Sequence, residues 1–211
     1  MGVAYPEKRL ETTGMSYLSS YIGAGLGIFL VVSLPARGRS QGREIKLEPT
    51  QVYTNRATQF QFPPTVGEFH RETICHEYNR EGTDIGVGYN DVVHPIAATV
   101  FVYPIPGQAP DDTLKGHFAT CKAEVLKKHD EAKLVSENTI ELTPGGKKQE
   151  GLYALFTFPD VFAHHRQTVR SEVYLFVHRR SFVLFRMTYS AGEQHTSEPV
   201  IKEFINGLAW P

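Results

Sequence analysis

The chain lacks the short motifs that would name a reaction. It has no Gly-Lys-Ser or Gly-Lys-Thr, so a P-loop is excluded. No H-E-x-x-H pairs two histidines on one helix face, and no C-x-x-C offers a zinc or dithiol site. A nucleophile elbow needs G-x-S-x-G on a strand-to-helix turn, and no turn of that kind in the chain carries one. Cysteine is scarce, with Cys75 and Cys121 alone in 211 residues. Neither stands directly at the end of the N-terminal apolar run, so no lipid attachment is implied there. An excess of charge is missing too. Twenty-two Lys and Arg face 23 Asp and Glu, a net −1, which gives no preference for nucleic acid or another polyanion.

One long uncharged stretch is present, Tyr17–Ala36, with its densest apolar part from Tyr21 to Leu34. That part has the length of a signal-peptide h-region and is short for a spanning helix. Pro35 ends the run, and Ala36-Arg37-Gly38 sets small residues at −3 and −1 of a cleavage after Gly38. Lys8 and Arg9 are offset by Glu7 and Glu11, and Met15 is an alternative start. Residues 1–38 are therefore expected to be a signal peptide or membrane anchor, and the domain to be periplasmic or secreted. The alternative is a single-span tether through residues 17–36, whose basic C-terminal flank favours the opposite orientation. Residues 39–56 are polar and aperiodic and read as a linker. Residues 57–211 read as one domain, with 41% of the whole chain hydrophobic.

Within that domain Phe60 and Phe62 alternate with glutamines at strand period, and Pro63-Pro64 stops them. Glu68–Asn79 reads as a strand buried around Ile74. Ile96–Tyr103, an apolar run between prolines, reads as a central strand covered on both faces. From Asp112 to about His129 the period changes, with Leu114, Phe118, Cys121 and Val125 on one helical stripe. Strand signals resume in NTIELTP, EGLYALFTF, SEVYLFV and SFVLFRMTY, the last two separated by HRR as a hairpin. Ser197 then caps a closing helix with Val200, Ile201, Phe204, Ile205 and Leu208 on its apolar face. The expected class is α+β: a mainly antiparallel sheet with one central helix and a C-terminal helix packed on it.

The closing stretch RSEVYLFVHRRSFVLFRMTYSAGEQHTSEPVIKEFINGL, the opening FQFPP and the pair GVGYNDVVHPIAATVFVYP resemble the PsbP-like α+β fold and exported bacterial proteins that share it. The likeness spans roughly residues 57–210. It implies an accessory, partner-binding role and maps no functional residue onto this chain.

The residues themselves leave a few candidates. Gly82, Gly86 and Gly88 in GTDIGVGYN miss the third glycine of a dinucleotide loop, since Asp91 stands there and a strand follows. They read as bends in a strand pair. Cys75 and Cys121 are an even pair that an oxidising compartment allows to join, or two buried thiols. Nine histidines include His164 and His165 beside Asp160, and His70 with His76, the sets that resemble metal ligands. Between Val161 and Ser190 five arginines stand against Glu172 alone, and Arg166, Arg170, Arg179 and Arg180 are the expected partner-binding residues. The leading expectation is an exported, non-enzymatic domain without a cofactor that binds a protein or envelope component. A metal-assisted hydrolase using His164 and His165, and a small-molecule carrier with an aromatic pocket, are the alternatives.

Overall fold

A computed structural model describes residues 42–106 and 113–211. The putting together of a wide sheet explains most of it. The strands are β1 (Arg43–Lys46), β2 (Tyr53–Thr54), β3 (Gln61–Phe62), β4 (Thr65–Val66), β5 (Phe69–Glu77), β6 (Ile85–Asp91) and β7 (Ile96–Pro104). Helix α1 (Thr113–Lys128) follows, then β8 (Lys133–Leu142), β9 (Gln149–Phe162), β10 (His165–His178), β11 (Ser181–Ser190) and helix α2 (Gln194–Gly207).

Among the described residues nine strands form one antiparallel sheet in the order β1-β5-β6-β7-β11-β10-β9-β8, with β4 also on β5. Two meanders meet in it. The first, β5-β6-β7, ends at α1, which carries the chain to the far edge, and the second, β8 to β11, returns to pair β11 with β7. Every hairpin satisfies its backbone locally, while the β1–β5 and β7–β11 seams join distant sequence. Strand period sorts the side chains onto two faces. On one face Val100, Val102, Tyr174, Phe176, Phe185 and Tyr189 pack under Ile201, Phe204 and Ile205 of α2. On the other Phe101, Phe156, Leu175 and Leu184 pack under Phe118, Cys121 and Val125 of α1. The result is a sheet between two helices.

Several expectations need correcting. The linker assigned to residues 39–56 is partly domain: Ile45 pairs with Cys75 across β1–β5, and Tyr53 pairs with Phe62. Buried Asn55 holds this segment, accepting from the Thr58 amide at 2.8 Å and donating to the Gly82 carbonyl at 3.0 Å. These bonds are invisible to periodicity because the strands are too short to show one. In β5 the buried positions are Phe69, Arg71 and Cys75, all on one face, and Ile74 is only half-buried on the other; a bulge between Arg71 and Cys75 interrupts the ladder without changing which face they share. Strand β9 runs through Pro159 to Phe162. Pro159 is tolerated because β8 stops pairing at Thr157, so β9 is an edge there. Helix α2 starts before Ser197, which lies buried inside it, its hydroxyl without a partner. The signal or anchor assigned to residues 1–38 lies outside the described residues. No helix among those described is long and apolar enough to cross a membrane.

Candidate functional site

Strand β10 places a single acid among aromatics. Its even positions Arg170, Glu172, Tyr174 and Phe176 share the face that α2 covers. Glu172 is fully buried. The Tyr174 hydroxyl donates to Glu172 Oε2 at 2.5 Å and the Tyr189 hydroxyl donates to Oε1 at 2.6 Å. Register explains the convergence. Tyr174 is two residues along the same strand, while Tyr189 pairs with Arg170 and so lies diagonal to Glu172 across β10–β11. Tyr153 of β9 is the direct cross-strand partner of Tyr174, with ring centroids 5.0 Å apart at 53°.

Burial pushes the Glu172 carboxyl up, the Tyr174 and Tyr189 hydrogen bonds pull it down, Glu198 raises it further and Arg170 lowers it. Burial and then the Glu172 charge push Tyr153, Tyr174 and Tyr189 upward, so these phenols stay protonated donors. Among the described residues no Lys, Arg or His nitrogen forms an ion pair with Glu172. Above this carboxyl lies a cavity of about 300 Å³. Its walls are Asn138, Thr139 and Ile140 of β8 with Tyr153, and Glu198 and Lys202 of α2 complete it. Glu198 and Lys202 are four residues apart and thus share one side of the helix. Glu198 Oε1 accepts from Gln194 Nε2 at 2.6 Å.

On the opposite face Arg186 is a second buried polar group. Its Nε donates to Ser171 Oγ at 3.4 Å, another of its nitrogens lies 3.4 Å from His129 Nε2, and Nη1 has no partner. Burial pushes the guanidinium down to about 10, against Asp160 and Glu124. Burial and the Arg186 charge push His129 down, which suits a neutral imidazole stacked on Phe158 at 3.8 Å. Of the five arginines between Val161 and Ser190, Arg186 is therefore a core residue that faces α1. A second cavity, about 350 Å³, lies where β1 and the β2 segment meet the β5–β6 turn. Arg56 and Arg80 line it, with Arg43 bound to Glu77 at 2.5 Å.

The other sequence candidates fall apart in space. Cys75 and Cys121 are buried thiols not joined to each other, one in the core under α2 and the other under α1, on opposite faces of the sheet. The disulfide is thus excluded in this fold. His164 sits in the two-residue turn after β9 with Ala163, both at positive φ (67° and 49°), and His165 begins β10. Among the described residues no group of three or more His, Cys, Asp or Glu is placed to hold a metal ion. The arginines occupy two ends of β10. Arg166 and Arg170 lie near the β9 turn, and Arg179 and Arg180 form the β11 turn. Thirteen residues of strand, roughly 40 Å, separate Arg166 from Arg179. A G-x-S-x-G string does occur at Gly38–Gly42, in the polar stretch after the apolar run, and its serine lies outside the described residues. Of the glycines of GTDIGVGYN, Gly86 and Gly88 are positions of β6, and Gly82, at φ 67°, lies in the turn between β5 and β6. A Cβ on Gly86 would meet the Phe101 ring at 3.0 Å, and the Glu72 side chain fills the space over Gly88.

No family model and no curated protein matches the chain. Solved structures to which it is similar include cyanobacterial PsbP from Synechocystis sp. PCC 6803, at 11% identity and TM-score 0.44, over 92% of this chain and 99% of that one. A Pseudomonas aeruginosa protein of unknown function, PA94, is 10% identical with TM-score 0.43 over 76% and 96%. The Ran-binding protein Mog1p of Saccharomyces cerevisiae is 13% identical with TM-score 0.37 over 78% and 86%.

Proposed function

We propose that the chain is a non-enzymatic binding domain that holds a small ligand in the cavity between β8, β9, β10 and α2. The observation that supports this is the buried Glu172 carboxyl, fixed by two phenols at the base of a cavity of about 300 Å³. A space of that size suits a small metabolite, and the polar side chains of Asn138, Thr139, Glu172, Glu198 and Lys202 beside Tyr153 and Tyr174 supply contacts that would orient one. In this reading the apolar run at residues 17–36 serves export or tethering, and the domain works outside the cytoplasm. The test is a mixed-charge fragment screen by protein-observed NMR, repeated on Ile140→Trp, which fills the cavity from β8. At least one fragment is expected to shift cavity resonances in the parent and not in the variant. A screen in which no fragment perturbs the cavity refutes the proposal.

A second reading, a protein or envelope partner, draws on strand β8. It is an edge of the sheet among the described residues, ten residues long, with Leu134 and Val135 exposed. Arg179 and Arg180 at one end of the hairpin, or Arg166 and Arg170 at the other, would add charge contacts. Separate charge reversals at the two ends, each followed by partner capture, test this. Unchanged capture by both variants removes the arginines from it.

A further inference from the structure

Resting on that cavity reading, we propose that its ligand is an organic cation, carrying a primary ammonium or similar group, with Glu172 as the countercharge. A buried carboxyl is tolerated when it is hydrogen-bonded and matched by a positive charge. Glu172 has the hydrogen bonds from Tyr174 and Tyr189 but no ion pair within 4.0 Å among the described residues. Both hydroxyls donate to it, an arrangement that fits the ionised carboxylate better than the acid. The missing element is a cation, and the cavity is the space in which one would sit.

The walls agree with this. Tyr153 and Tyr174 present two rings tilted 53° to each other, an arrangement whose faces attract an ammonium. Glu198 adds a second carboxylate from α2. Two resident cations lie nearby. Lys202 lines the rim but is itself solvent-exposed, and Arg170 acts on Glu172 only through space from two residues along the strand. Neither takes the place next to the carboxyl. Tyr153, half-buried, lines the same cavity as fully buried Glu172, and the cation enters beside that ring. Metal-ligating side chains do not gather there, and aromatic faces suit an organic cation better than a hydrated metal.

The experiment is a matched probe series on the full chain by calorimetric or NMR titration: n-butylammonium, n-butanol and butyrate. Butylammonium is expected to bind at least about tenfold more tightly than either other probe, and Glu172→Gln to remove that preference while circular dichroism stays unchanged. Lys202→Met, an exposed position that does not threaten folding, is expected to tighten butylammonium by a few-fold and leave butanol unmoved. Equal binding of all three probes, or a Lys202→Met variant that weakens the ammonium, overturns the inference. Butanol or butyrate binding as well as the ammonium, and losing affinity in Ile140→Trp, overturns the cation assignment but leaves the cavity as a ligand site. Binding of no probe together with an empty fragment screen overturns both.

Discussion

Replacing Tyr189 by Phe removes one hydroxyl from a fully buried ring and leaves its packing intact. The carboxyl loses the donor at 2.6 Å on Oε1 and keeps Tyr174 on Oε2. The magnitude depends on whether Glu172 is charged. A hydrogen bond to an ionised group contributes about 1.5–3 kcal/mol and a neutral one about 0.5–1.5 kcal/mol. The sign with pH follows from burial, which raises the Glu172 pKa in the folded state. Below the unfolded carboxyl pKa both states hold the proton, and stability is at its full value. As pH rises toward the folded pKa, the unfolded chain releases its proton first, so stability falls. Tyr189→Phe raises the folded pKa further, because the lost bond favoured the ionised form, and that fall steepens. The variant is therefore expected to cost about 0.5–1.5 kcal/mol at pH 4 and about 1.5–3 kcal/mol at pH 8. In a domain of this size each kcal/mol shifts Tm by about 2–4 °C. Urea denaturation of both proteins at both pH values measures it. Equal cost at pH 4 and pH 8 would show that the phenol does not hold an ionisable Glu172 and would refute the reasoning.

Three further outcomes are expected. Native protein should not react with a thiol reagent, since burial pushes Cys75 up to about 11, whereas both thiols should titrate after denaturation; reductant should leave Tm unchanged. Gly151→Ala should cost about 1–3 kcal/mol, because its Cβ would strike the Phe176 ring and come within 2.7 Å of the Leu175 carbonyl oxygen. Gly88→Ala should cost less, since only the flexible Glu72 side chain must move. Asn55→Ala should cost about 1–3 kcal/mol by stranding the Thr58 amide and the Gly82 carbonyl, and a loss below about 0.5 kcal/mol would mean that residues 42–56 are not integral to the domain.

How much of this was legible depends on the range of the interaction. Long strands and the α1 stripe of Phe118, Cys121 and Val125 announce themselves through local period. So did the β10–β11 hairpin, despite the absence of glycine in its Arg179-Arg180 turn, because its flanking strands are long enough to fix the register. What could not be read is anything set by register between strands. Cys75 and Cys121 look like a pair in a count of cysteines, yet only the sheet shows that it stands between them. The bulge at Arg71–Cys75 and the edge that admits Pro159 are likewise properties of neighbouring strands.

Glu172 shows the limit most clearly, and also the signal that was available. In the sequence it stands out only as the lone acid among five arginines between Val161 and Ser190. Alternation puts it on the face of Tyr174 and Phe176, which a two-helix sandwich must bury. An acid on a buried face has to be satisfied, and tyrosines are the side chains that reach it without adding charge. Tyr174 at i+2 was visible in the sequence, but Tyr189 and Tyr153 become neighbours only through the β10–β11 and β9–β10 registers. A buried acid flanked by phenols is costly for a scaffold that could have used a leucine there. Its retention beside a cavity rather than in solid core makes binding, not stability, the better account of Glu172. Glu172→Leu separates the two: if the acid serves only the fold, stability at pH 8 should fall, whereas a binding role predicts stability equal to or above the parent with the butylammonium preference abolished.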